Sequence, residues 1–226
     1  MQTSLQVVAV VAEKGGVGKT TLALTLAVAA VQAGRKVAVF DLDPQATAAQ
    51  WTDRRTQEFP WVVATPATRL DAAIANAKEQ GVDFIVIDTP PHAGTDAVEA
   101  ARRAHLVLVP VEPHLYTLET LPKLGDLLKL AGDTPALFVV SKAAIQGKEA
   151  QDAAAYIAGQ GFAVCPVTLY LRAAHRHAGN LGQTAQEYEP KSKAADESLQ
   201  LYMYTLKLLT ERGYSHGKAK STHTRA

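Results

Sequence analysis

The sequence predicts an α/β fold, a mostly parallel sheet with helices on both faces. Three observations carry this reading. Short aliphatic or β-branched runs recur along the chain: LQVVAVVA, KVAVF, WVVAT, DFIVI, LVLVPV, ALFVV and FAVCPV. Ala-rich or amphipathic stretches of helical length separate them. The runs are continuously apolar rather than alternating, as strands buried on both faces must be, and strands joined through helices pair in parallel by right-handed crossovers.

Taken in order, LQVVAVVA ends in a glycine-rich turn, AEKGGVGKTT, and TLALTLAVAAVQAG continues as a helix with Gly34 placed as its stop. KVAVF runs into the acidic stretch FDLDPQAT. WVVAT, Trp61 to Thr65, is a short strand, and DFIVI ends in Asp88. LVLVPV enters a loop shaped by Pro110 and Pro113, ALFVV is followed by Lys142, and FAVCPV reads as a last buried strand holding Cys165. KSKAADESLQLYMYTLKLLTERG places Leu199, Tyr202, Met203, Leu206 and Leu209 at helical spacing, predicting a helix that packs on that face. SHGKAKSTHTRA has no periodicity. The expected organisation is one domain over residues 1–212 and a flexible basic tail over 213–226.

Composition narrows the function. With 226 residues and a formal net charge of +1, any attraction to nucleic acid must come from a local basic cluster. One cysteine excludes an internal disulfide and a Cys-rich metal site within one chain, and fits a reducing cytoplasm. No signal peptide or transmembrane helix is expected.

The chemistry starts at the glycine-rich turn. Following a strand and opening a helix, Gly15, Gly16, Val17 and Gly18 can turn backbone N–H groups toward an anion, and the helix N-terminus favours negative charge. Lys19 would reach the β- and γ-phosphates of a nucleotide, the hydroxyl of Thr20 would ligate Mg²⁺, and Thr21 completes the loop. Asp41 and Asp43 follow a strand at the sheet's carboxyl edge, where ligands of α/β folds bind, although capping of the next helix is an alternative use. Asp88 ends another buried strand, the position of an aspartate that holds Mg²⁺ or its water.

The lysine-first loop K-G-G-V-G-K-T-T, with Lys14 ahead of Lys19, resembles that of the deviant Walker A group of P-loop ATPases, the MinD/ParA group. FDLDPQAT resembles its D-x-D-P-Q motif, and FIVIDTPP its Walker B strand. These motifs cover the first ~90 residues of a P-loop domain. The resemblance implies ATP and Mg²⁺ as cofactors and a homodimer with ATP sandwiched between subunits. It implies a Lys14 that reaches the nucleotide of the other subunit, much as an arginine finger does. It also implies that Asp43 orients the attacking water and that Asp41 lies near the magnesium shell. The expected catalytic set is Lys14, Lys19 and Asp43, and the metal set is Thr20, Asp41 and Asp88.

The later chain points to ParA within that group. LYLRAAHRHAGNLGQTAQEYEPKSKAADE resembles the corresponding part of small ParA proteins. Arg172, Arg176, Lys191 and Lys193 gather there in a pattern suited to phosphate oxygens of nonspecific double-stranded DNA. Lys142 and Lys148 would extend that surface. With no helix-turn-helix region ahead of the loop, the chain resembles the short type of ParA, which works with a ParB-like adaptor, segregates or positions a cargo, and associates with the nucleoid. The alternative is a MinD-like regulator that recruits protein or membrane partners without DNA. No residue is identified as reading the adenine base.

Overall fold

A computed structural model describes residues 4–92 and 94–211; the expected basic tail lies outside the described residues. The first half runs β1 (Gln6–Val10), α1 (Lys19–Gln32), β2 (Val37–Asp41), α2 (Thr47–Thr52), β3 (Trp61–Ala64), α3 (Leu70–Glu79), β4 (Phe84–Asp88) and α4 (Thr95–Arg103). The second half runs β5 (Leu106–Val111), α5 (Leu115–Leu118), α6 (Leu121–Leu130), β6 (Ala136–Ala143), α7 (Glu149–Gly159), β7 (Leu169–Tyr170), α8 (Ala173–Asn180), α9 (Ala185–Tyr188) and α10 (Lys193–Glu211).

The seven strands form one sheet in the order β3-β2-β4-β1-β5-β6-β7, and every pairing is parallel. Its two faces explain the apolar runs. Val7, Ala9 and Val11 of the first run, with Ile85 and Ile87 of β4, pack against apolar residues of α3, α4, α6 and α7. Val8, Val10, Phe84 and Val86 point the other way, onto Leu22 and Leu26 of α1 and Leu201 and Tyr202 of α10. Because α1 is also covered on its outer side, where Leu24 and Val28 meet Ala48 and Trp51 of α2, it is apolar nearly all round. Gly34 ends α1 as expected. Its φ of +81° lets its N–H reach Val31 O while Arg35 N–H reaches Ala30 O, closing the last turn.

Parallel register decides where the motifs meet. Val10 is level with Asp88, and Asp88 with Asp41, so the ends of β1, β4 and β2 stand side by side at the carboxyl edge.

Two expectations are corrected. FAVCPV is not a strand: Val164 makes one isolated parallel bridge to Phe138, Pro166 has no N–H to extend the ladder, and the last strand is Leu169–Tyr170. Cys165 is nonetheless buried, as a core residue should be. The inward face of α10 is also rotated from the expected one. Ala194, Ser198, Leu201, Tyr202, Thr205 and Leu209 are buried, whereas Leu199 and Met203 are 52% and 56% exposed. Small residues occupy the close approach, and the Ser198 hydroxyl is satisfied by donating to Ala194 O of its own helix.

Candidate functional site

The glycine-rich turn connects β1 to α1. Gly16 and Gly18 have φ of +81° and +96°, a region open to glycine, and Gly18 is the N-cap residue of α1. No side chain caps that helix and no acidic residue lies in its first turn, so its N-terminal N–H groups and positive end face the turn unopposed. Gly15 packs near Pro91, and Val17 is buried. The end of β6 braces the loop from the side: Ser141 Oγ donates to Val17 O at 2.9 Å, and the Lys142 ammonium donates to Gly16 O. Lys142 was expected on a DNA surface and instead supports this loop.

Lys19 is the first residue of α1 and is buried. Burial holds its ammonium below the usual lysine range, while the nearby charges of Asp88 and Asp43 act in the opposite sense. Asp88 is fully buried, and neither of its carboxylate oxygens has a well-formed hydrogen bond among the described residues. Burial pushes its carboxyl up to about 7, with the adjacent Thr20 hydroxyl and Lys19 pulling it down and Asp41 and Asp43 adding to the rise. A buried carboxylate without a partner is costly unless something pairs with it. Beside a hydroxyl and at the foot of a phosphate-type loop, that something fits a divalent cation held through oxygen, as Mg²⁺ prefers. The residues present therefore suit the implied metal.

Asp41 is also buried, but its oxygens are taken by backbone. Oδ1 accepts the Asp43 N–H at 3.0 Å, and Oδ2 accepts the N–H groups of Ala48 and Ala49 at 2.9 and 3.3 Å. It anchors the first turn of α2 and the loop holding Asp43, matching the capping use that the sequence left open. Half-buried Asp43 bonds the Gln45 N–H at 2.9 Å. Thr89, directly after Asp88, is buried and donates to Val10 O at 2.8 Å, tying β4 to β1. Lys14 is half-buried, with Nζ over the ring of Tyr116 at 5.4 Å from its centroid, a cation–π contact within the chain.

A cavity of about 340 Å³ opens beside the loop, between Val17, Gly18 and Thr21 on one side and Ser141, Lys142 and the Tyr170–Arg172 segment on the other. Its walls come from residues far apart in sequence, which the sequence reading did not assemble.

The four basic residues grouped by sequence do not share one role. Arg172 is committed to an ion pair: its Nε and Nη2 donate to Glu197 Oε1 at 2.8 and 2.6 Å, and the pair is only 17% and 12% exposed. Glu197 Oε2 also accepts the Tyr170 N–H, so this pair joins β7 to α10. Arg172 is thereby a strut and not a free phosphate contact. Arg176, Lys191 and Lys193 are exposed, and Arg176 has no polar partner among the described residues.

The family model for the CobQ/CobB/MinD/ParA nucleotide binding domain matches residues 8–167. The chain is 37% identical over 110 residues to the maintenance of carboxysome distribution protein A of Gloeobacter kilaueensis, covering 48% of this chain and 50% of that protein. It is 29% identical over 148 residues to the chromosome-partitioning ATPase Soj of Thermus thermophilus, covering 53% and 59%. It thus spans about half the length of these relatives. The solved structure of the cell division ATPase MinD of Pyrococcus furiosus superposes with a TM-score of 0.70 at 24% identity, covering 92% of this chain and 100% of that one, a likeness of fold.

Proposed function

Since the chain belongs to the CobQ/CobB/MinD/ParA family of nucleotide-binding domains, we propose that it is an ATP-hydrolysing switch of the ParA kind that positions or segregates a cargo. The observation that carries this reading is the fully buried Asp88 carboxyl beside Lys19 and the Thr20 hydroxyl, at the uncapped N-terminus of α1.

ATP would lie with its phosphates along Gly15–Thr21 and its base in the 340 Å³ cavity lined in part by Tyr170 and Lys142. Lys19 and the loop N–H groups would hold the phosphates by charge and hydrogen bonds. Thr20 and Asp88 would hold Mg²⁺, which, when bound, neutralises charge on the β- and γ-phosphate oxygens. Asp43, kept in place by Asp41, would orient the attacking water. Lys14 would leave Tyr116 and reach the nucleotide of a second subunit, so that full stabilisation of the transferring phosphoryl group requires a homodimer. ATP then needs to favour the dimer over the monomer by only a few kcal/mol to act as a switch.

The ATP-bound dimer would bind nonspecific double-stranded DNA through exposed arginine and lysine near α8 and α10, with a ParB-like adaptor stimulating hydrolysis and release. The test is binding of a random-sequence duplex with Mg-ATP against Mg-ADP, with Asp43→Ala retaining the ATP state. Tight binding that needs ATP and weakens steeply with salt supports the proposal.

A second reading is favoured by the exposed Leu199 and Met203, one turn apart on α10. There the same ATP switch would recruit a protein or lipid partner, as MinD-like regulators do. Vesicle cosedimentation with and without ATP, in the absence of any ATP-dependent DNA binding, would select it. Among the described residues no helix is long and apolar enough to cross a membrane.

A further inference from the structure

A second cleft, of about 310 Å³, lies on the outer side of α1 between α2 and α8. Arg54 and Thr47 line it from the α2 side and Arg176, Asn180 and Gln183 from the α8 side, and it reaches Thr20 and Thr21 at the start of α1, so it adjoins the nucleotide loop. No carboxylate lines it. Both guanidiniums are on exposed residues and keep most of their donors unused: Arg54 makes one long contact to Gly179 O at 3.4 Å, and Arg176 makes none among the described residues. An anion entering this hollow would meet two under-used guanidiniums and no competing acid.

The walls are held together firmly. Trp51 Nε1 donates to Gln183 O at 3.0 Å. The nearly buried Arg55 guanidinium spans Phe59 O, Gly182 O and both oxygens of Glu187, stacking over Trp51 as it does so. Gly182 sits so close to this segment that a Cβ there would come within 2.6 Å of Arg54 and Arg55 backbone atoms. The segments that carry Arg54 and Arg176 are therefore joined by part-buried hydrogen bonds and close backbone packing.

We infer that this cleft binds a phosphodiester group of duplex DNA, gripped between Arg54 and Arg176, and that Arg54 is a DNA contact from the α2 side. A backbone phosphate suits it because the hollow is open, is bordered by two exposed guanidiniums and carries hydroxyl and amide groups from Thr47, Asn180 and Gln183 on its walls. The same wall descends from α2, whose first turn is anchored by Asp41 beside the nucleotide site, so phosphate contact and nucleotide state would share one element. This inference rests on the DNA-binding reading above.

The experiment measures affinity for a random 24-base-pair duplex by fluorescence anisotropy across a salt series, in full-length protein carrying Asp43→Ala with Mg-ATP. Arg54→Ala is expected to weaken binding about three- to tenfold at physiological salt and to lower the salt slope by about one, the loss of a single phosphate contact. Arg54→Lys should restore most of the slope. Arg102→Ala, on α4 across the sheet, should change neither. If the parent protein binds and Arg54→Ala binds with unchanged affinity and slope, the cleft is not a phosphate site, although the DNA reading survives. If the parent protein does not bind duplex in any nucleotide state, the DNA reading falls and this inference falls with it. Melting temperatures of all variants, expected to match the parent, separate lost contact from lost fold.

Discussion

Asp41 Oδ1 accepts the backbone N–H of Asp43 at 3.0 Å, so one acidic residue of the D-x-D pair holds the other in position. With Oδ2 bonded to the first turn of α2, Asp41 fixes the course of the chain from β2 to that helix. Replacing it by alanine leaves three N–H groups without their acceptor in a buried setting. Asp41→Ala is expected to lower the unfolding free energy by about 3 kcal/mol and, through displacement of Asp43, to cut ATP turnover by about a hundredfold. Denaturant unfolding and steady-state hydrolysis with Mg²⁺ check the two parts.

Asp88 is a site residue whose charge costs stability. In metal-free protein at pH 8, Asp88→Asn removes a buried carboxylate whose loss of water outweighs the pull of Thr20 and Lys19, and is expected to raise unfolding free energy by about 1–3 kcal/mol. The same variant should no longer gain stability from Mg-ATP. Denaturant melts with and without Mg-ATP measure both; a destabilised metal-free variant would mean that Thr20 and Lys19 outweigh the cost of burying the Asp88 charge.

Arg172 and Arg176 lie one helical turn apart and should separate cleanly. Arg172→Ala strands Glu197, only 12% exposed, and is expected to cost about 3–5 kcal/mol. Arg176→Ala should stay within about 0.5 kcal/mol of the parent, because it breaks no described contact. Equal destabilisation in chemical denaturation would refute this division.

Glycines at positive φ differ in what surrounds them. Gly81, at φ +82°, has open space around a new Cβ, so Gly81→Ala should cost about 1 kcal/mol from backbone strain alone. Gly182→Ala, at φ +65°, adds a collision with Arg54 and Arg55 backbone and should cost at least twice that. Thermal melts of the pair give the comparison.

Cys165 is 4% exposed, and burial pushes its thiol up to about 11 from the ordinary 9.0. A folded-state value raised above the unfolded one gives a contribution fully present below pH 9 and lost as pH rises through 11. Native protein at pH 8 should therefore resist a thiol reagent and react at once when unfolded; rapid labelling of native protein would show that this segment opens.

Continuous apolar runs are legible because a strand covered on both faces must be apolar at every position. So is the glycine-lysine loop, because its backbone demands specific residues in a fixed order. That is why β1, β2, β4, β5 and β6 and the residues of the Lys14–Thr21 loop can be read directly, whereas β3 is an edge strand with Val63 49% exposed. Short-range patterns have less hold on α10, where spacing alone marked Leu199 and Met203 but the approach of α1 and α9 selected the face with Ser198 and Thr205. FAVCPV carries the composition of a strand, yet Pro166 and a single bridge leave it outside the ladder.

What the sequence by itself determined about this protein is the α/β class, the loop, and the aspartates at the strand ends, because each depends on residue type at a local position. Only the tertiary structure decided that Lys142 braces the loop, that Arg172 is spent on Glu197 while Arg176 has no polar partner among the described residues, and that Arg54 and Arg176 border one cleft. Those outcomes depend on partners up to more than a hundred residues away, such as Trp51 with Gln183, brought together by sheet order and register that no local pattern encodes.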